Sequence, residues 1–127
     1  MLDTQLALWS VLGDPRAGDR VRAAFADPNV EIVVSAVSIW EIAIKHALPR
    51  RRDPMPIGGG RARELFEQSN YTVLPVTAAH AVAVDALPPL HGDPFERMLV
   101  AQAITEPMRL LTRDARLREY GALVEPA

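Results

Sequence analysis

An α/β sandwich with a mostly parallel central sheet is the fold this sequence predicts, on three observations. Short β-branched or aliphatic runs alternate with segments of helical periodicity, and turns rich in proline and glycine separate them. The chain of 127 residues, 49% of them hydrophobic, is long enough to close one core and too short for two. A single domain over residues 1–127 is expected.

The elements follow in order. "MLDTQLALWSVLGDP" begins with a strand stub, then places Leu6, Leu8, Trp9 and Leu12 at near-helical spacing before Gly13 and Pro15 stop the helix. A second helix is expected over "AGDRVRAAFAD". "NVEIVVS" reads as a buried strand feeding the helix "AVSIWEIAIKHAL". "PRRRDPMPIGGG", with three prolines and three glycines, reads as a loop. Beyond it lie a helix "RARELFEQS", a strand "YTVLPV" and a helix "TAAHAVAVDAL". The turn "PPLHGDP" leads into the helix "FERMLVAQAITE". The strand "MRLLT", a short helix "ARLREYG" and a last strand "ALVEP" complete the order. In open sheets of this kind ligands bind outside the carboxyl ends of the strands, so chemistry is sought at the strand-to-helix junctions.

With 24% charged residues and no apolar run of membrane-spanning length, a soluble protein without a membrane partner is expected. The start shows no export signal and the chain has no cysteine, which points to the cytoplasm and excludes disulfides and thiolate metal sites. A net charge of −2 and a pI near 5.9 argue against coating nucleic acid by bulk charge. They leave room for local basic surface, because the cations are almost all arginine, with a run at Arg50, Arg51 and Arg52.

Four junctions carry an acid: Asp3, Glu41, Asp93 and Asp114. Asp3, Asp93 and Asp114 each read as ordinary helix N-caps, Asp93 with a proline at the first helical position. "SIWE" offers a capping box for Ser38 and Glu41, and Glu41 with Lys45 forms an i,i+4 pair. Glu41 strains that reading. Val37, Trp40, Ile44 and Leu48 follow the spacing of a core-facing stripe, and Glu41 falls on it, so with Ser35 as the N-cap its carboxylate is expected to point inward.

An inward carboxylate among other acids needs a cation, since two carboxylates about 5 Å apart repel by roughly 3 kcal/mol at an effective dielectric near 20. Oxygen donors, no cysteine and no pair of histidines at i,i+4 spacing disfavour zinc and favour Mg2+ or Mn2+. His46 and His80 are expected to have no role, whereas His91, in the turn before Asp93, is placed to approach the site. A carboxylate cup holding such ions at a sheet edge is the equipment of phosphodiester hydrolysis.

The segments "LDTQLALW", "VSAVSIWEIAIKHAL", "LPPLHGDPFERMLVAQA" and "LLTRDARLREYG", in this order across nearly the whole chain, resemble those of PIN-domain ribonucleases, specifically the VapC-type toxins of bacterial toxin–antitoxin pairs. The resemblance implies a three-layer PIN-like fold and a Mg2+- or Mn2+-dependent endoribonuclease. Asp3, Glu41, Asp93 and Asp114 then stand at the catalytic and metal-binding positions, and Glu96 shares the metal load with Asp93. Thr112 orients a carboxylate or water, and Arg97 meets phosphate or an acid. RNA contacts are expected from Arg50, Arg51, Arg52 and Arg113. The resemblance also implies a small antitoxin of VapB type and a homodimer, with the apolar residues of the first two helices as its interface. Gln5 stands where many relatives carry histidine. Only Met1 and Leu2 precede Asp3, a short stub for a central strand, so stability is expected to suffer before chemistry does.

Two other readings compete. A catalytically degenerate protein-binding module uses the acids as caps alone and binds no metal saturably. An aspartyl-phosphate domain needs paired acids that "LDTQ" lacks, and "IGGGRARE" lacks the Lys-Ser/Thr ending of a phosphate loop.

Overall fold

A computed structural model describes residues 1–49, 52 and 54–127. Among these residues the order is α1 (Thr4–Val11), α2 (Asp19–Ala26), β1 (Val33–Ser35), α3 (Ala36–Ala47), α4 (Gly59–Gln68), β2 (Thr72–Leu74), α5 (Ala78–Ala83), α6 (Pro94–Thr105), β3 (Leu110–Thr112) and β4 (Val124–Pro126). Segments of 3-10 helix occupy Pro15–Ala17, Val84–Ala86 and Ala115–Tyr120.

β1 pairs with β2 and β3 with β4, both in parallel. The N-terminal stub joins the two pairs. The Leu2 amide donates to the Val33 carbonyl at 3.0 Å, the Leu111 amide donates to the Met1 carbonyl at 2.9 Å, and the Asp3 amide donates to the Leu111 carbonyl at 3.0 Å. The sheet order is therefore β2, β1, the stub, β3, β4, and Asp3 emerges from its middle. Two residues suffice as a central strand because both edges of the stub are hydrogen-bonded.

Successive strand residues point to opposite faces, and the core divides accordingly. Leu2, Val34 and Ile32 pack with Leu6, Leu8, Val21, Ala62 and Phe66 under α1, α2 and α4. Met1, Val33, Leu110 and Val124 pack with Leu99, Val100 and Ala103 under α6 on the other face. Helices thus cover both sides of a parallel sheet, the three-layer α/β arrangement expected.

Three expectations need correction. The helix "RARELFEQS" begins earlier, at Gly59, so two of the three glycines assigned to the loop are helical. The helix expected through Leu87 leaves α-geometry after Ala83 and continues as a 3-10 segment. The largest difference concerns α3. Ser35 is its N-cap, accepting from the Val37 amide at 3.0 Å, and Glu41 is buried as expected. However, Trp40, Ile44 and Leu48, read as core-facing, are exposed at 59%, 37% and 49%. The inward face is Val37, Ser38, Glu41 and Ile42. Apolar periodicity selected the wrong side because the face toward the sheet edge carries polar groups with partners there.

α4 crosses α3 closely at Gly59, where an added Cβ would meet the Ala43 Cβ at 2.9 Å and the Ile39 carbonyl at 3.2 Å, whereas a Cβ at Gly60 would meet nothing within 4 Å. Gly59→Val is expected to cost about 1–3 kcal/mol by overpacking, and Gly60→Ala to leave stability unchanged or raise it by up to about 1 kcal/mol. Urea midpoints of the two variants test this.

Candidate metal centre

Three of the acids fix themselves by capping. Asp3 Oδ1 accepts from the Leu6 amide at 2.8 Å at the start of α1. Asp93 Oδ1 accepts from the Phe95 and Glu96 amides at 2.8 and 3.2 Å at the start of α6. Asp114 Oδ1 accepts from the Arg116 amide at 2.9 Å, where the 3-10 segment follows β3. The capping reading and the functional reading therefore coexist: each cap engages one oxygen, immobilises the carboxylate at a helix N-terminus and leaves the second oxygen for other partners.

Glu41 reaches the same edge from the second turn of α3. Its Oε1 lies 2.7 Å from Thr4 Oγ1, which lies 2.9 Å from Ser38 Oγ. A hydroxyl has one proton, so Thr4 donates to the carboxylate and Ser38 donates to Thr4. Glu41 Oε2 is paired with the Lys45 ammonium one turn on. The i,i+4 pair is thus real, but it is turned inward.

The tightest group of potential ligand atoms among the described residues is His91, Glu96 and Asp114, within 4.8 Å of one another. His91 Nε2 lies 3.0 Å from both Asp114 Oδ2 and Glu96 Oε2, and only the first contact is a hydrogen bond. Glu96 Oε2 is left buried with no hydrogen-bond donor among the described residues. The His91 ring is fixed from behind, because the Asp93 amide donates to Nδ1 at 3.0 Å. A neutral ring that accepts at Nδ1 carries its proton on Nε2, so His91 holds Asp114 by donation and is not poised as a metal ligand.

The electrostatics register how closely the acids are gathered. Burial, then the negative charges of Asp114, Asp93, Asp3 and Glu41 in that order, push Glu96 up to about 8. Burial also raises Asp3, against hydrogen bonds from Thr112 and from the Leu6 and Arg113 amides that pull it down. Asp114 moves the other way, held below the usual carboxylate range chiefly by its hydrogen bonds with the exposed Arg116 guanidinium.

Glu96 therefore feels the charges of the four other sequence-predicted acids, although Asp93 is engaged with the amides of its helix. Thr112 accepts from the Asp114 amide at 2.9 Å and contacts Asp3, so it links two acids. Arg97 is turned away, donating to the Pro88 carbonyl and the Tyr120 hydroxyl, each at 3.0 Å. Arg52 is exposed, Arg113 lies over the Trp9 ring, and Arg50 and Arg51 fall outside the described residues. Sequence reading assigned no role to Thr4 or Arg116, and gave Lys45 only as the i,i+4 partner of Glu41. The i,i+4 spacing to Glu41 is the signal for Lys45, and nothing local marks Thr4. An all-oxygen set with one buried oxygen lacking a donor suits a hard divalent cation.

A family model described as the PIN domain matches residues 1–123. The chain is 29% identical to "Ribonuclease VapC22" of Mycobacterium tuberculosis (strain ATCC 25618 / H37Rv) over 120 residues, covering 94% of this chain and 90% of that protein. The fold is shared with a chain of the crystal structure of VapBC2 from Rickettsia felis bound to a DNA fragment from their promoter. The TM-score is 0.71 at 13% identity, over 99% of this chain and 96% of that one.

Glu96 binds its proton more tightly folded than unfolded, with a pKa near 8 against an ordinary 4.5. Without divalent ions, its contribution to stability is complete below about pH 4.5 and is lost as pH rises through about 8. Urea midpoints in EDTA are expected to fall across that window and to flatten in Glu96→Gln. Mn2+ is expected to oppose the fall and to bind with proton release.

Proposed function

The chain belongs to the PIN-domain family, and on that premise we propose that it is a metal-dependent endoribonuclease, the toxin of a toxin–antitoxin pair. The observation that carries the reading is the convergence of five carboxylates at the carboxyl edge of the sheet, with Glu96 Oε2 buried and undonated among the described residues. The likeness to a protein named as a ribonuclease supports the substrate class. Asp3, Glu41, Glu96 and Asp114 would hold Mg2+ or Mn2+, with Asp93 sharing the load through the oxygen its cap leaves over. A cation held there supplies positive charge at the scissile phosphate and acidifies the attacking water.

The surrounding residues set the geometry. The Thr4 and Ser38 hydroxyls orient Glu41, Thr112 aligns Asp3 with the Asp114 turn, and His91 fixes the Asp114 carboxylate. Arg116, exposed and held among the described residues through Asp114 oxygens, would be able to meet substrate phosphate. Arg113 and the segment Arg50 to Arg52 provide further phosphate contacts. A small antitoxin of VapB type would neutralise the site by offering a guanidinium to the acids, as Arg116 already does within the chain. No helix among the described residues is long and apolar enough to cross a membrane. A cytoplasmic location and a homodimer are part of the same proposal. The pairing of Glu41 with Lys45 and Asp114 with Arg116 favours the degenerate binding module as the second reading.

Cleavage of a mixed RNA pool by the antitoxin-free protein separates the two. Cutting is expected with Mg2+ or Mn2+, none with EDTA, and at least about a hundredfold loss in Asp3→Asn and Glu41→Gln with the fold retained. Near-normal cutting by Glu41→Gln removes Glu41 from the ligand set. A folded, metal-loaded protein that cuts no RNA supports the binding module.

A further inference from the structure

A cavity of about 260 Å3 runs along α1, lined by Gln5, Leu8, Trp9 and Arg16 and closed by Pro54 and Pro56. It begins two residues from Asp3, and Trp9 lies roughly 9 Å along the helix from that acid. The volume is just below the roughly 300–1,000 Å3 of sites that enclose a drug-sized molecule, so it suits one nucleoside-sized group.

The wall is built around the Trp9 indole. The Arg16 guanidinium sits 4.8 Å from the ring centroid, and its charge is engaged by Asp14 at 2.7 Å. The Arg113 guanidinium sits 5.9 Å from the same ring, forms no ion pair with a carboxylate among the described residues, and belongs to the residue next to Asp114. Gly18, at φ 87°, makes room for it, since a Cβ there would stand 3.2 Å from Arg113 Nη2. The Trp9 ring, which lines the cavity, thus also carries at 5.9 Å a guanidinium that forms no ion pair with a carboxylate among the described residues and belongs to the neighbour of Asp114 in sequence. A phosphodiester neighbouring the scissile one needs such a cation, and the base attached to it needs a flat ring to pack on.

We propose that this cavity is a nucleotide subsite for single-stranded RNA, in which Arg113 takes the phosphate adjacent to the scissile one and the space between Trp9 and Pro54–Pro56 takes its base. The assignment rests on the nuclease reading and deepens it. Selectivity for the RNA then arises partly here, because the carboxylates are indifferent to base identity.

The test uses the full chain carrying Trp40→Phe, so that Trp9 is the remaining indole, and Glu41→Gln to prevent cutting. Titration with a mixed-sequence single-stranded RNA dodecamer in Mg2+ is expected to quench Trp9 fluorescence saturably. A dodecamer of abasic sugar phosphate is expected to quench it far less. In the cleaving protein, Trp9→Leu and Arg113→Gln are each expected to raise KM about tenfold with a much smaller fall in kcat, and Trp9→Phe to recover most of the loss. RNA that shifts the Glu41→Gln protein on a native gel while Trp9 emission stays unchanged overturns the subsite and leaves the nuclease reading standing. Equal quenching by the abasic polymer, or wild-type KM in folded Trp9→Leu, overturns it as well. Absence of both RNA binding and metal-dependent cutting overturns the nuclease reading and the subsite together.

Discussion

Mutual repulsion among carboxylates is the constraint around which this molecule is arranged. Asp3, Glu41, Asp93, Glu96 and Asp114 meet at one sheet edge, where burial first and then the charges of the other four acids push Glu96 up to about 8. Such a cluster survives in a folded protein only if each acid is held by something other than its neighbours. Three are held by helix N-termini, where the amides and the helix dipole favour negative charge by about 0.3–1 kcal/mol each. Glu41 is held by a threonine hydroxyl and the only lysine in the chain, and Asp114 additionally by His91 and Arg116. Glu96 has the least support, and its proton affinity rises, as burial also raises that of Asp3.

The sheet supplies the position and the helices the charge balance. A two-residue stub lies between β1 and β3, hydrogen-bonded to both, and delivers Asp3 into the middle of the edge. β1 ends at Ser35 and turns directly into α3, which brings Glu41 and Ser38 to face Thr4. β3 ends at Thr112, whose hydroxyl organises both the Asp114 turn and Asp3. The site is therefore the point at which strands from distant parts of the chain stop together, and moving any one strand end misplaces a carboxylate.

The chain also carries its own substitutes for an external cation. Lys45 and Arg116 occupy two of the acids, and His91 donates to a third contact within the same cluster. These pairs lower the cost of gathering the acids, and the pair at the exposed Arg116 is weak.

The order of elements was legible along the chain because it depends on local signals: β-branched runs, Ser35, Asp93 and Asp114 as caps, and Gly and Pro at the turns. Asp3, Asp93 and Asp114 were legible as caps for the same reason, since strand-to-helix junctions are marked locally, whereas Glu96 was carried only by the resemblance. The inward face of α3 was legible only at Val37 and Glu41, because Trp40 and Ile44 are apolar yet exposed while Ser38 is polar yet buried, and only its partner on α1 decides that. The donor role of His91 and the placement of Arg113 over Trp9 likewise required three dimensions. Both join residues far apart in sequence, and hydrogen-bond direction and ring contact are properties of distance and angle that no local pattern encodes.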